Sequence, residues 1–262
     1  MRPIITAALL CVSLSLAAVV PAQAQKRPGG GQTARPDFGQ SQPSAGLTVR
    51  FADGAACTPI SSPYASPTRY DGSKRPTGGV EGDNHGGIDL SLEIGTPLLA
   101  VAPGRVYMVG VGGMLEGIYI WLIHLPADTG LPFAVLSKYQ HLDEKPAGAR
   151  GDRVALGQVI GRSGKTGTVG GYYGPNGYPH LHLTMRAIHD DKLGTLGKPG
   201  EFAMNRDTTI IDPLTIYVPG VTTPTAADAL AADAKRLTVA HVDGSGMIQP
   251  SAARFVWPVT CQ

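Results

Sequence analysis

Two short stretches carry residue types at spacings that suit metal chemistry. The first is His85-Gly86-Gly87-Ile88-Asp89. An i, i+4 offset puts both side chains on one face of a strand, and an irregular loop with two glycines also lets them converge. The second is His180-Leu181-His182. Residues at i and i+2 share one face of a strand, about 7 Å apart at Cα. Two imidazoles so placed can both reach one ion, or one can bind while the other works beside it. Two histidines and one aspartate around zinc leave a coordination position for water, the mark of a catalytic rather than a structural site. Zinc lowers the pKa of such a water towards about 7. No H-E-x-x-H is present, so no helix-borne glutamate is available as general base. The candidate for that work is His141, in Lys138-Tyr139-Gln140-His141-Leu142.

The remaining histidines read differently. His124 ends an apolar strand and is expected to be structural, whereas His189 and His241 lie in polar segments and are expected to be solvated. Gly164-Lys165-Thr166 is not a phosphate loop. The preceding glycine that the loop requires is replaced by Val159, and no helix follows.

The elements that must position these residues are strands and turns. Gly (35) and Pro (22) make up about a fifth of the 262 residues, which disfavours helices. Charged residues are only 16%, and the net charge of +2 is too mild for a nucleic-acid-binding face. From His85 onward, short apolar or alternating runs recur between turn residues: 87–92, 98–101, 105–109, 118–125, 133–139, 158–161 and 180–185. Such spacing predicts an antiparallel sheet or sandwich. Leu47–Phe51 and Arg254–Val259 are further expected strands, and Thr225–Leu237 is the one expected helix.

The first 24 residues have the pattern of an export signal. Arg2 precedes a mostly apolar run to Val20, and Ala22 and Ala24 stand where a signal peptidase reads. No later run is long enough for a membrane span, so no stable span is expected after cleavage. Cys11 leaves with the signal. Cys57 and Cys261 remain, an even pair expected to form a disulfide in an oxidising compartment. A lone pair so far apart in sequence says little for zinc-thiolate binding, which favours close C-x-x-C spacing. Residues 25–45 are rich in Gly, Pro, Gln and Ser and read as a flexible linker.

Taken in order, these motifs resemble the lysostaphin/LytM-type zinc metallopeptidases, which cut peptides of bacterial peptidoglycan. That family shows H-x-G-x-D, then Y-x-H-L, then G-x-[ST]-G-x-[ST]-G, then H-L-H. Here they stand as His85-x-Gly87-x-Asp89, Tyr139-x-His141-Leu142, Gly161-x-Ser163-Gly164-x-Thr166-Gly167 and His180-Leu181-His182. Gly95-Thr96-Pro97, 102–106 and 157–161 resemble the connecting segments, and Asp212-Pro213-Leu214 resembles the domain end. The likeness covers about residues 80–217. Two features depart from it. Asp83-Asn84 replaces the basic or small residues often found before the first motif, and a long turn at 168–179 precedes H-L-H.

The resemblance implies a mainly β, antiparallel zinc peptidase core of the duplicated hybrid motif type. It implies one Zn2+ per chain held by His85, Asp89 and His182, with His141 and His180 flanking the activated water. In the long turn, Tyr172, Tyr173 and Tyr178 are candidates for the substrate groove. The expected organisation is an export signal (1–24), a linker (25–45), a segment packing on the core (46–79), the peptidase domain (80–217) and an extension with one short helix (218–262). The implied function is an exported, periplasmic or extracellular endopeptidase acting on peptidoglycan cross-links or stem peptides. The alternative is a non-hydrolytic wall-binding or hydrolase-activator module, against which the intact ligand set counts. A third reading is a zinc peptidase for protein substrates. No nucleic-acid partner is expected, and no oligomeric contact is read from the sequence.

Overall fold

A computed structural model describes residues 44–69, 71–75, 84–113, 115–168, 178–198 and 201–262. In chain order its strands are β1 (Thr48–Arg50), β2 (Ile88–Ser91), β3 (Pro97–Leu99), β4 (Gly104–Val111), β5 (Ile118–His124), β6 (Val135–Leu142) and β7 (Arg153–Val154). There follow β8 (Val159–Arg162), β9 (His180–Ile188), β10 (Thr208–Ile211), β11 (Arg236–Thr238), β12 (His241–Val242) and β13 (Ile248–Gln249). The fold is mainly β and antiparallel, as its turn-rich composition predicts.

A seven-stranded sheet runs β10-β9-β6-β5-β4-β7, with β2 also paired to β9. Thus β9 is flanked on one side by β6 and on the other by β2 and β10. All nine residues of β9 are buried. Its alternation separates two roles: Leu181, Leu183, Met185 and Ala187 enter the main core. His180, His182, Thr184 and Arg186 occupy the other positions of the strand. β5 alternates likewise, with Ile120 and Leu122 in the main core and Trp121 and Ile123 in a smaller cluster across the sheet. A slip of one residue would exchange these faces, so the apolar pattern pins the register that positions the histidines.

Small sheets complete the core. β3 pairs with β8, β12 with β13, and β1 runs parallel to β11. Leu47 and Tyr64, before the central sheet, and Trp257, near the C-terminus, belong to the main apolar cluster. Cys57 and Cys261 are joined by a disulfide spanning 204 residues. Among the described residues no helix is long and apolar enough to cross a membrane.

Three expectations need correction. The helix expected over 225–237 is reduced to a single 3-10 turn at Ala226–Ala229. So short an alanine-rich segment gains little from burial and is marginal alone. Its end instead pairs with β1, which buries Leu237 to 3% exposure. Arg254–Val259 forms no regular strand, although Val256, Trp257 and Val259 are buried. His241 is buried rather than solvated, because β12 packs beneath the C-terminal segment and Cys261 donates its N–H to Val242. His124 is fully buried, and His189 is exposed, both as expected.

Candidate metal centre and its flanking histidines

The pairing of β2 with β9 builds the centre. Asp89 lies directly opposite His182, and Ser91 opposite His180. Residues opposite one another in an antiparallel ladder share a face, so Asp89 and His182 meet by register alone. His85 sits just before β2 and reaches the same point because the intervening chain lies close against β9. A Cβ on Gly87 would collide with the Leu183 carbonyl and come within 2.9 Å of His182 Nε2. The glycine of H-x-G-x-D is therefore required by the Leu183 backbone carbonyl first and by the His182 imidazole second.

Three electron-rich atoms converge here. His85 Nε2 is 3.0 Å from Asp89 Oδ1 and 3.0 Å from His182 Nδ1, and His182 Nδ1 is 2.8 Å from Asp89 Oδ1. All three residues are buried. His85 Nδ1 is 2.9 Å from the Pro63 carbonyl, which can only accept, so Nδ1 carries the proton and Nε2 is left with a lone pair. His182 Nε2 is 3.0 Å from Thr184 Oγ1, a contact that can likewise hold the opposite ring nitrogen. Burial pushes the Asp89 carboxyl up, but the facing His182 and His85 nitrogens outweigh it and hold the group well below the usual carboxylate range. Burial lowers His85, against the opposing pull of Asp89. Two imidazole nitrogens and a carboxylate oxygen with partnered outer atoms form a zinc-type donor set.

His141 and His180 flank this group. Their ring centroids are 4.5 Å apart, and His141 is 6.0 Å from the His182 ring. His141 adopts a left-handed backbone, φ 64°, unusual outside glycine, and of a kind that clusters at functional sites. Its Nδ1 donates to the Thr166 carbonyl at 2.8 Å, leaving Nε2 as an acceptor. Thr166 is itself fixed, donating its hydroxyl to Leu142 O and accepting from the Ile118 N–H. His180 Nδ1 donates to the Tyr178 carbonyl at 3.2 Å, and its Nε2 is 3.7 Å from Asp89 Oδ1. Burial lowers the His180 pKa to about 4, and burial and then the neighbouring imidazoles hold His141 well below its usual value. Both rings are neutral near pH 7 and able to accept a proton.

Of the three tyrosines expected near the groove, Tyr178 stacks on His180, with centroids 4.2 Å apart and planes within 8°. Tyr172 and Tyr173 lie outside the described residues. Sequence reasoning expected residues 46–79 to pack on the core but missed that this segment contacts the centre itself. Ser62 and Asp89 form a β-bridge, with Asp89 N donating to Ser62 O at 2.9 Å and Ser61 N to Asp89 O at 2.8 Å. Arg75 Nη2 is 3.5 Å from Asp89 Oδ2 and 2.9 Å from Ser62 Oγ. This cation occupies the carboxylate oxygen that faces away from the histidines. These contacts use backbone carbonyls and a distant arginine, for which the sequence has no local signal.

Residues 83–195 match the family described as Peptidase family M23. The lysostaphin/LytM-type motifs seen in the sequence lie in one buried constellation within that range. Residues 83–195 belong to this family. The glycyl-glycine endopeptidase ALE-1 of Staphylococcus capitis is 34% identical over 105 residues, 40% of this chain and 25% of that protein. Lysostaphin of Staphylococcus simulans is 34% identical over 124 residues, 47% of this chain and 22% of that protein. The chain thus spans about a quarter of the length of these curated relatives. The solved catalytic domain of the S. simulans antimicrobial peptidase lysostaphin is 31% identical, covers 48% of this chain and 77% of that one, and has a TM-score of 0.35. The bracing residues Ser62, Pro63 and Arg75 fall before the M23 match.

Proposed function

We propose that the protein is an exported, zinc-dependent endopeptidase that hydrolyses peptide cross-links or stem peptides of bacterial peptidoglycan. The observation that carries this reading is the convergence of His85 Nε2, Asp89 Oδ1 and His182 Nδ1 within 3.0 Å, beside two neutral histidines. These three residues would hold the metal. Once bound, zinc would supply Lewis acidity and lower the pKa of a water at the open position. Export is supported by the signal-like first 24 residues, which point to a periplasmic or extracellular location.

The protein's own groups then divide the work. His141 Nε2, unprotonated because Nδ1 donates to Thr166, takes the proton of the attacking water. As imidazolium it can return that proton to the leaving amine. His180, oriented by Tyr178 and neutral through burial, lies beside the developing charge on the peptide carbonyl. Arg75 and the 61–63 segment hold Asp89 and His85 in place while the proton moves.

The test is muropeptide analysis of sacculi incubated with zinc-loaded protein, with glycine-rich bridges as a second substrate because a relative is named a glycyl-glycine endopeptidase. New stem-peptide or cross-link products are expected. Their absence on both substrates overturns the reading.

A further inference from the structure

A second group of ligating side chains lies among the small C-terminal elements. Cys57, His241 and Cys261 bring two sulfurs and an imidazole nitrogen within 4.8 Å of one another. His241 is 5% exposed, and its Nδ1 is buried without a hydrogen-bond partner. A buried polar atom left unpaired is costly, because it gives up its hydrogen bonds to water and gains none. Native structures keep few such atoms, so each one asks for a reason. Here the unpartnered nitrogen belongs to an imidazole that lies beside two sulfurs, the softest ligands a protein has.

The disulfide is not what holds these three residues together. Ala56 and Gln262 exchange two backbone hydrogen bonds of 2.6 and 3.0 Å. Cys261 N donates to Val242 O, and Trp257 N donates to Ala240 O, each at 2.8 Å. Trp257, fully buried, donates its indole N–H to Thr58 O at 3.0 Å. Three chain segments are thereby tied at the residues next to each ligand. Opening the sulfur–sulfur bond leaves both thiols and the imidazole within reach of a common point.

We propose that this corner is a redox-gated metal site. A dithiol reductant passes two electrons to the Cys57–Cys261 disulfide, giving two thiols and becoming a disulfide itself. Cys57 Sγ, Cys261 Sγ and a ring nitrogen of His241 then bind one thiophilic divalent cation, zinc being the natural occupant, and the two thiol protons are released. Two thiolates, a neutral imidazole and a doubly charged cation sum to zero charge, which removes the penalty for burying any one of them. Bond lengths of about 2.3 Å for sulfur and 2.0 Å for nitrogen are compatible with ligand atoms that lie within 4.8 Å of one another. The oxidised form has no thiolate to offer and does not bind. Cys57 also begins the segment that reaches Ser61 and Ser62, so either the disulfide or the metal anchors the brace of the other centre.

Metal titration of the signal-less full chain tests this, with cobalt(II) as the probe and His182→Ala as background so that the M23 centre does not contribute. Oxidised protein is expected to bind no cobalt, and reduced protein one equivalent with thiolate-to-metal charge-transfer absorption. His241→Asn should weaken that site at least about tenfold. Cys57→Ser should remove the charge-transfer band. The proposal is overturned if reduced protein with two titratable thiols and an unchanged near-UV circular dichroism binds no cobalt. It is also overturned if reduction collapses the near-UV signal, because the backbone frame must survive alone. Unaltered affinity in His241→Asn removes the imidazole from the site.

Discussion

His124 and the histidines around Asp89 occupy opposite ends of one sheet, and both are buried. β5 ends at His124, opposite Val135, whereas His182 lies opposite Gln140 towards the other end of β6. His124 Nδ1 donates to the Pro103 carbonyl at 2.8 Å, and its Nε2 accepts from the Ser137 hydroxyl at 2.8 Å. Each ring nitrogen has its own neutral partner, and nothing is left over. A Cβ on Gly104 would come within 2.7 Å of the ring, so this imidazole too is packed tightly under a glycine. At the other end, His85 and His182 turn one nitrogen outward to a neutral oxygen and the other inward to a shared carboxylate. Burial and glycine packing are common to both ends. Convergence of lone pairs is what distinguishes a centre from a strut.

Substitutions at the two ends should separate them. The largest effect is expected for His182→Ala, with stoichiometric zinc lost and hydrolysis reduced by at least about a thousandfold. Retained zinc would remove His182 from the ligand set. His141→Ala and His180→Ala should each keep zinc, by metal analysis, and lose about a hundredfold to ten-thousandfold in kcat.

His124 should act on stability instead. Burial depresses its folded-state value to about 4, against about 6.5 when unfolded. The unfolded chain therefore binds the proton first, so this contribution is complete above pH 6.5 and is lost as pH falls towards 4. Between pH 7 and pH 5 the loss is about 2 kcal/mol. Urea unfolding of the protein and of His124→Gln should show that difference shrinking in the variant. Asp212 runs the other way. Burial raises it to about 6, so its contribution is lost as pH rises from about 4 to 6, which is why the comparison is made against a variant. The smallest effect is expected for Arg75→Ala, about a tenfold loss of zinc affinity in chelator competition.

Residues that touch through neighbouring strands were legible beforehand, because motif spacing and alternation carry that information. H-x-G-x-D and H-L-H meet by register, and Leu181 and Leu183 betray the face on which the histidines do not lie. What escaped depends on distant backbone. The Pro63 carbonyl and Arg75 reach the centre from a Pro/Ser/Gly-rich loop that resembles any other loop. His241 looked solvated because its neighbours are polar, yet the C-terminal segment covers it. The segment 225–237 looked helical because alanine favours helices locally, whereas burial of Leu237 against β1 decides its shape.

The bridge between Ser62 and Asp89 bears on how the M23 region could be handled as a module. A graft cut to residues 83–195 would keep every motif histidine yet leave behind β10, the carbonyl that sets the His85 tautomer and the arginine behind Asp89. The transplantable unit is larger than its signature and begins before residue 61.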